Sequence, residues 1–172
     1  QYTQLDNDLR LRWLMGTGST VNANLTHINR THPRYGQRDY NGFNFGAGVD
    51  WALTGKTSLS TSISHTLDAY ATNNSNYSGT DKISVSAGWQ ISPKVGLRLK
   101  NDWAQRSYLG SPSTTASNNR QDITRDTTLS VNWQAHEQLA LSASLQQSSR
   151  GVNQANLDYD STMLFFTAQL TY

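Results

Sequence analysis

Between residues 43 and 51 the chain alternates without a break, with Phe43, Phe45, Ala47, Val49 and Trp51 on one side and Asn44, Gly46, Gly48 and Asp50 on the other. Successive side chains of an extended strand point to opposite faces, so this period of two marks a β-strand with one apolar and one polar face, and helical spacing does not fit it. Leu139, Leu141, Ala143 and Leu145 alternate in the same way with Ala140, Ser142, Ser144 and Gln146. Read along the whole chain, the pattern predicts strands over roughly 5–15, 19–30, 42–52, 57–69, 81–90, 95–107, 123–134, 138–149 and 161–172. Most of them have the length of about 9–11 residues or more that a tilted strand needs to cross a bilayer.

The strands are organised by a repeat. Trp13-Leu-Met-Gly-Thr-Gly-Ser-Thr-Val21, Trp51-Ala-Leu-Thr-Gly-Lys-Thr-Ser-Leu59, Trp89-Gln-Ile-Ser-Pro-Lys-Val-Gly-Leu97 and Trp133-Gln-Ala-His-Glu-Gln-Leu-Ala-Leu141 superpose on their tryptophans, which lie 38, 38 and 44 residues apart. In each, the Trp ends one strand, a tight turn follows, and an aliphatic residue eight positions on opens the next strand. That period is one hairpin plus one long connection, so the chain is an array of hairpins. Gly16-Thr17-Gly18 is then a hairpin turn and not a phosphate loop. Polar stretches near 31–41, 70–80, 108–122 and 150–160 supply the long connections. Short turns at one end and long loops at the other are the asymmetry of outer-membrane barrels. All four tryptophans fall beside the short turns on the apolar face, where amphipathic indoles favour a membrane interface, and with the terminal Tyr172 they read as one girdle. A soluble β-sandwich gives no reason to gather them at one end.

Composition agrees with a two-sided wall. Only 35% of residues are hydrophobic and the mean hydropathy is −0.63, too little for a large conventional core. Yet 10% of the chain is aromatic, 15% is charged and the net charge is +2, which is not the composition of a disordered chain. A wall with lipid on one face and water on the other needs only every second residue to be apolar. With no cysteine, disulfides, thiolate catalysis and cysteine-held metals drop out. No apolar run is long enough for a transmembrane helix. The first residues, Gln1-Tyr-Thr-Gln-Leu-Asp6, lack the basic and apolar regions of a secretion signal, which is expected to be removed or to lie upstream.

The alternation also assigns a water-facing side. It carries Asp8, Arg10 and Arg12 near the start and Arg98, Lys100, Asp102 and Arg106 later, among many Ser, Asn, Gly and Thr. Two readings stand side by side. Arg10, Arg12, Arg98, Lys100 and Arg106 could line a path for an anionic polymer or solute, or they could be neutralised across the lumen by Asp50, Asp102 or Asp126. Tyr35, Tyr40, Tyr70, Tyr77, Tyr108 and Tyr159 fall near the long loops, as sugar-stacking groups or as an upper aromatic belt. His27, His32, His65 and His136 are scattered, without the close spacing of metal ligands, so neither a metal nor another cofactor is expected. A barrel hydrolase using His27 or His65 as base is weighed and disfavoured, since both histidines share the lipid-facing parity. Nothing points to nucleic acid.

The end of the chain carries a further signal. Leu164, Phe166, Ala168, Leu170 and Tyr172 alternate with Phe165, Thr167, Gln169 and Thr171, and a last strand of this kind with a final aromatic resembles the one that the outer-membrane barrel-assembly machinery recognises. The hairpins at 51–59 and 89–97 and the segment Tyr108-Leu-Gly-Ser111 resemble the porin-like barrels of bacterial exopolysaccharide operons, the EpsL-type proteins. That resemblance implies a role in secreting, or associating with, a surface polysaccharide.

The expected fold is therefore an all-β antiparallel transmembrane barrel of the bacterial outer membrane, spanning 1–172 without a second domain. Nine strands are odd in number, so the chain is expected to be the C-terminal portion of a barrel of about 16–18 strands, closed by further strands of the same barrel. The expected role is a passive, non-enzymatic conduit or scaffold for exopolysaccharide export or solute passage. The alternative is a sleeve around a partner protein.

Overall fold

The computed structural model describes residues 1–16, 18–34, 36, 39–69, 77–109, 120–154 and 157–171. Among them are nine strands and no helix: β1 (Thr3–Met15), β2 (Ser19–Thr31), β3 (Tyr40–Ala52), β4 (Thr57–Ala69), β5 (Tyr77–Ser92), β6 (Val95–Leu109), β7 (Gln121–His136), β8 (Leu139–Val152) and β9 (Tyr159–Leu170). They form one antiparallel sheet in chain order. β1 and β9 are its edges, so among the described residues the sheet is not closed on itself.

All nine expected strands are present, but several run further at the loop end than the alternation indicates. β5 begins at Tyr77 instead of 81, β6 continues to Leu109, β7 begins at Gln121 and β8 continues to Val152. Past Ile83 and Trp103 the apolar face gives way to Asp81 and Gln105, yet Asp81↔Gln105, Gly79↔Ser107 and Tyr77↔Leu109 remain paired. Hydropathy marks the height of the apolar band, whereas the backbone's need for hydrogen bonds carries the ladder beyond it. β9 ends at Leu170, after which the Thr171 N–H still donates to the Gln138 carbonyl at 2.9 Å. Tyr172 and Thr17 lie outside the described residues.

The turns explain the repeat. Gly16 and Gly18 adopt φ of 58° and 94°, a region other residues seldom enter, so the β1–β2 turn depends on glycine. In the two Trp-Gln repeats the glutamine does the equivalent work. Each sits at a register shift, before Ser92 and before His136. The side-chain amide of Gln90 donates to the Ser92 carbonyl at 2.7 Å, and that of Gln134 to the His136 carbonyl at 2.8 Å. Their backbone N–H groups donate sideways, Gln90 to the Lys56 carbonyl (2.7 Å) and Gln134 to the Lys94 carbonyl (2.8 Å). Two successive hairpins are thereby offset by the same step, which is how a regular stagger accumulates in a barrel wall.

There is almost no buried core. Among the described residues only Ile28, Tyr40 and Tyr108 are buried hydrophobic side chains, whereas Leu9 is 69% and Phe166 74% exposed. A soluble protein rarely leaves so broad an apolar face uncovered.

Candidate functional site: the inner wall

Register fixes which side chains share a face. Trp13 stands opposite Val21, Trp51 opposite Leu59, Trp89 opposite Leu97 and Trp133 opposite Leu141, so each tryptophan opens the apolar face just above its turn. All four are exposed. Above them the same face carries residues such as Val49, Ile63, Val85 and Leu129. The fifth tryptophan, Trp103, is on this face too, between Ile83 and Arg125 in the loop-ward half; having no turn beside it, it escapes the repeat. In bilayers of lipid brominated on the acyl chains, Trp51 and Trp89 are expected to be quenched and a tryptophan at Ser60, in an otherwise Trp-free variant, to stay bright. The reverse result would invert the faces by one residue of register.

The opposite face is polar, and the pairing sorts it into rows that cross the strands. Asp50, Ser60, Ser86, Lys100 and Thr128 stand opposite one another from β3 to β7. The next row is Gly48, Ser62, Ser84, Asp102 and Asp126, and the row nearer the turns is Ser58, Gly88, Arg98 and Ser130. Apart from Asp50, small side chains thus occupy these rows from β3 to β5, while β6 carries Arg98, Lys100 and Asp102. Gly46 belongs to this economy of space, since a Cβ there would come within 2.6 Å of the Asn24 side-chain oxygen.

The candidate residues Arg10, Arg12, Arg98, Lys100, Asp102 and Arg106 all fall on this polar face, but they differ in their partners. Lys100 lies 2.7 Å from Asp102, and Lys82 approaches the same carboxylate at 3.4 Å. Arg10 lies 3.4 Å from Asp8, which also accepts from the Thr26 hydroxyl at 2.6 Å. Arg106 donates to the Thr80 hydroxyl at 3.2 Å. Among the described residues Arg12 and Arg98 have no hydrogen bond or ion pair, and neither does Asp50. Asp126 accepts from the Ser148 hydroxyl and meets no cation among the described residues. Neutralisation therefore reaches Lys100 and Arg10, and leaves a guanidinium free on β1 and another on β6.

A second cluster stands at the loop end of β6–β8. Asp122, 4% exposed, accepts from the Tyr108 hydroxyl at 2.7 Å, from Arg120 Nε at 2.9 Å and from Arg150. The Arg120 guanidinium also lies 4.4 Å from the centre of the Tyr108 ring, and the Tyr108 N–H donates to the Arg120 carbonyl at 3.2 Å. Sequence reasoning missed this site because 108–122 reads as one polar loop; Tyr108 and Asp122 stand 14 residues apart and meet only through the β6–β7 pairing. Tyr40 behaves similarly, buried beneath the Arg30 guanidinium at 4.9 Å. Tyr40 and Tyr108 are thus structural partners of arginine and neither exposed sugar platforms nor a lipid belt; Tyr35 and Tyr70 lie outside the described residues.

His65 Nδ1 lies 2.6 Å from Asp81 and His27 Nε2 lies 2.8 Å from Asn41, both pairs on the apolar side of the wall in its loop-ward half. No group of three potential metal ligands occurs among the described residues. The polar face is thus a surface of hydroxyls and amides on which β6 concentrates the cations Arg98, Lys100 and Arg106.

Residues 27–172 match the protein family described as Putative beta-barrel porin 2. No curated protein matches the sequence.

Proposed function

The chain belongs to this β-barrel porin family, and on that premise we propose that it is a passive, non-enzymatic conduit of the bacterial outer membrane that favours anions, with an exopolysaccharide as the cargo suggested by its sequence resemblance. The observation that carries this reading is the back-to-back wall: a continuous apolar face on one side and, on the other, a face of Ser, Asn, Gly and Thr with Arg98 unpaired. A hydrolase gains no support from this arrangement, because His27 and His65 occupy the apolar side. A conduit needs a closed wall. Nine antiparallel strands leave β1 and β9 running the same way, so antiparallel closure takes an odd number of additional strands, which we assign to the same barrel.

Planar bilayers test the proposal. The reconstituted protein is expected to conduct with a reversal potential displaced toward anions, and replacing Arg98, Lys100 and Arg106 by Gln should move it toward cations. The largest share should come from Arg98, since Lys82 and Lys100 already share one carboxylate. Insertion without conductance would count against a conduit and favour the sleeve.

A further inference from the structure

The polar face holds a hollow of about 490 Å³ between β2 and β6, and Arg98 at one end and Asp50 at the other have no hydrogen bond or ion pair among the described residues. Its floor is made of Gly46, Gly48, Ser62 and Ser84, with the amides of Asn22 and Asn24 beyond. At one end stand Arg98 and Lys100, at the other Asp50. Asp50 lies in the same cross-strand row as Lys100, three strand spacings away, or about 14 Å. Arg98 belongs to the adjacent row, so its guanidinium and the Asp50 carboxylate are too far apart to satisfy each other. Beside Arg98 stands Gly88, which leaves the space next to the guanidinium open, and a second hollow of about 380 Å³ begins there.

An unpaired arginine on a water-facing wall keeps all of its donors for a ligand. The guanidinium presents them in a planar fork that matches a carboxylate or phosphate in two parallel bonds. Lys100 adds a second donor at the same end even while it holds Asp102. The neighbouring hydroxyls and amides both donate and accept, so they suit a ligand rich in hydroxyls. No aromatic residue lines the hollow, and the Val49 and Ile63 that border it turn their side chains to the opposite face, so a solute with an apolar body would find no ring to stack on. The Asp50 carboxylate repels a second negative group at the far end.

From this we infer that the hollow is a binding site for a small polyhydroxylated monoanion of the sugar-acid class, its carboxylate on Arg98 and Lys100 and its hydroxyls along the serine and asparagine floor. The inference rests on the reading of the polar face as a water-filled lumen and gives that lumen a substrate class. Such a site slows a matching solute in transit and so selects it from others of similar size.

The test is calorimetric titration of the full-length protein in detergent micelles with D-gluconate, set against neutral D-glucitol and apolar hexanoate as controls. Gluconate is expected to bind and the two controls not. Arg98→Gln should weaken gluconate by about tenfold, as expected for loss of a charged hydrogen-bonding partner, and Asp50→Asn should leave gluconate binding in place while admitting the dianion glucarate. Circular dichroism of each variant guards against a folding defect. Equal binding by Arg98→Gln, or equal binding of hexanoate, would overturn the site. Titration needs no current, so a barrel that binds gluconate yet fails to conduct would refute the conduit and leave the site standing, and a conducting barrel that ignores gluconate would do the opposite.

Discussion

Arginine at position 63 is expected to cost about 2–4 kcal/mol of folding stability in a bilayer, whereas arginine at position 62, one residue away, should cost less than about 1 kcal/mol. Ile63 lies between Ala47 and Ile83 on the apolar face and is 49% exposed, so in the membrane its exposed half meets acyl chains. A guanidinium there must either leave water or drag water into the hydrocarbon. Ser62 lies between Gly48 and Ser84 over the inner hollow, where a long cationic side chain has room and solvent. Urea unfolding of protein inserted into vesicles reads both variants. Equal costs would mean that neither face is in lipid, and a larger cost at Ser62 would reverse the wall.

Asp122→Asn should be the most damaging isosteric change among the polar residues described, at about 2–4 kcal/mol. The carboxylate gathers Tyr108, Arg120 and Arg150 while itself only 5% exposed, and the two arginine side chains are 21% and 28% exposed. An amide keeps the shape but supplies one acceptor oxygen and a competing N–H, so the guanidiniums are left partly desolvated without their counter-charge. Asp126→Asn is the comparison. Its partner is the Ser148 hydroxyl, and the expected loss is about 1 kcal/mol. If the two variants unfold at the same urea concentration, the Asp122 cluster is an incidental meeting of side chains and not the clamp that joins the loop ends of β6, β7 and β8.

The contrast between these positions shows what could be read in advance. Ile63 and Ser62 differ in face because strand geometry alternates strictly, and that was available from the residues 57–69 alone. The turn ends were legible for a similar reason, since a glycine pair, or a Trp eight residues before an aliphatic, records a local constraint. Asp122 carried no such mark. Its three partners come from positions 108, 120 and 150, and nothing in the spacing of those residues announces that they converge. The roles of Gln90 and Gln134 were equally silent, although the repeated Trp-Gln pair was a signal that could have been followed.

By itself, then, the sequence determined the strands, their order of hairpins, the two faces and the placing of the four tryptophans on one face beside the turns, because each of these follows from a period of two or from the backbone of a short turn. Only the tertiary structure decided how far the strands continue past the apolar band, which of Arg12, Arg98, Lys100 and Arg106 keep a partner, and that Tyr108 and Asp122 close on each other. Those outcomes depend on cross-strand register, and a register links residues tens of positions apart through hydrogen bonds of backbone groups that every residue carries alike.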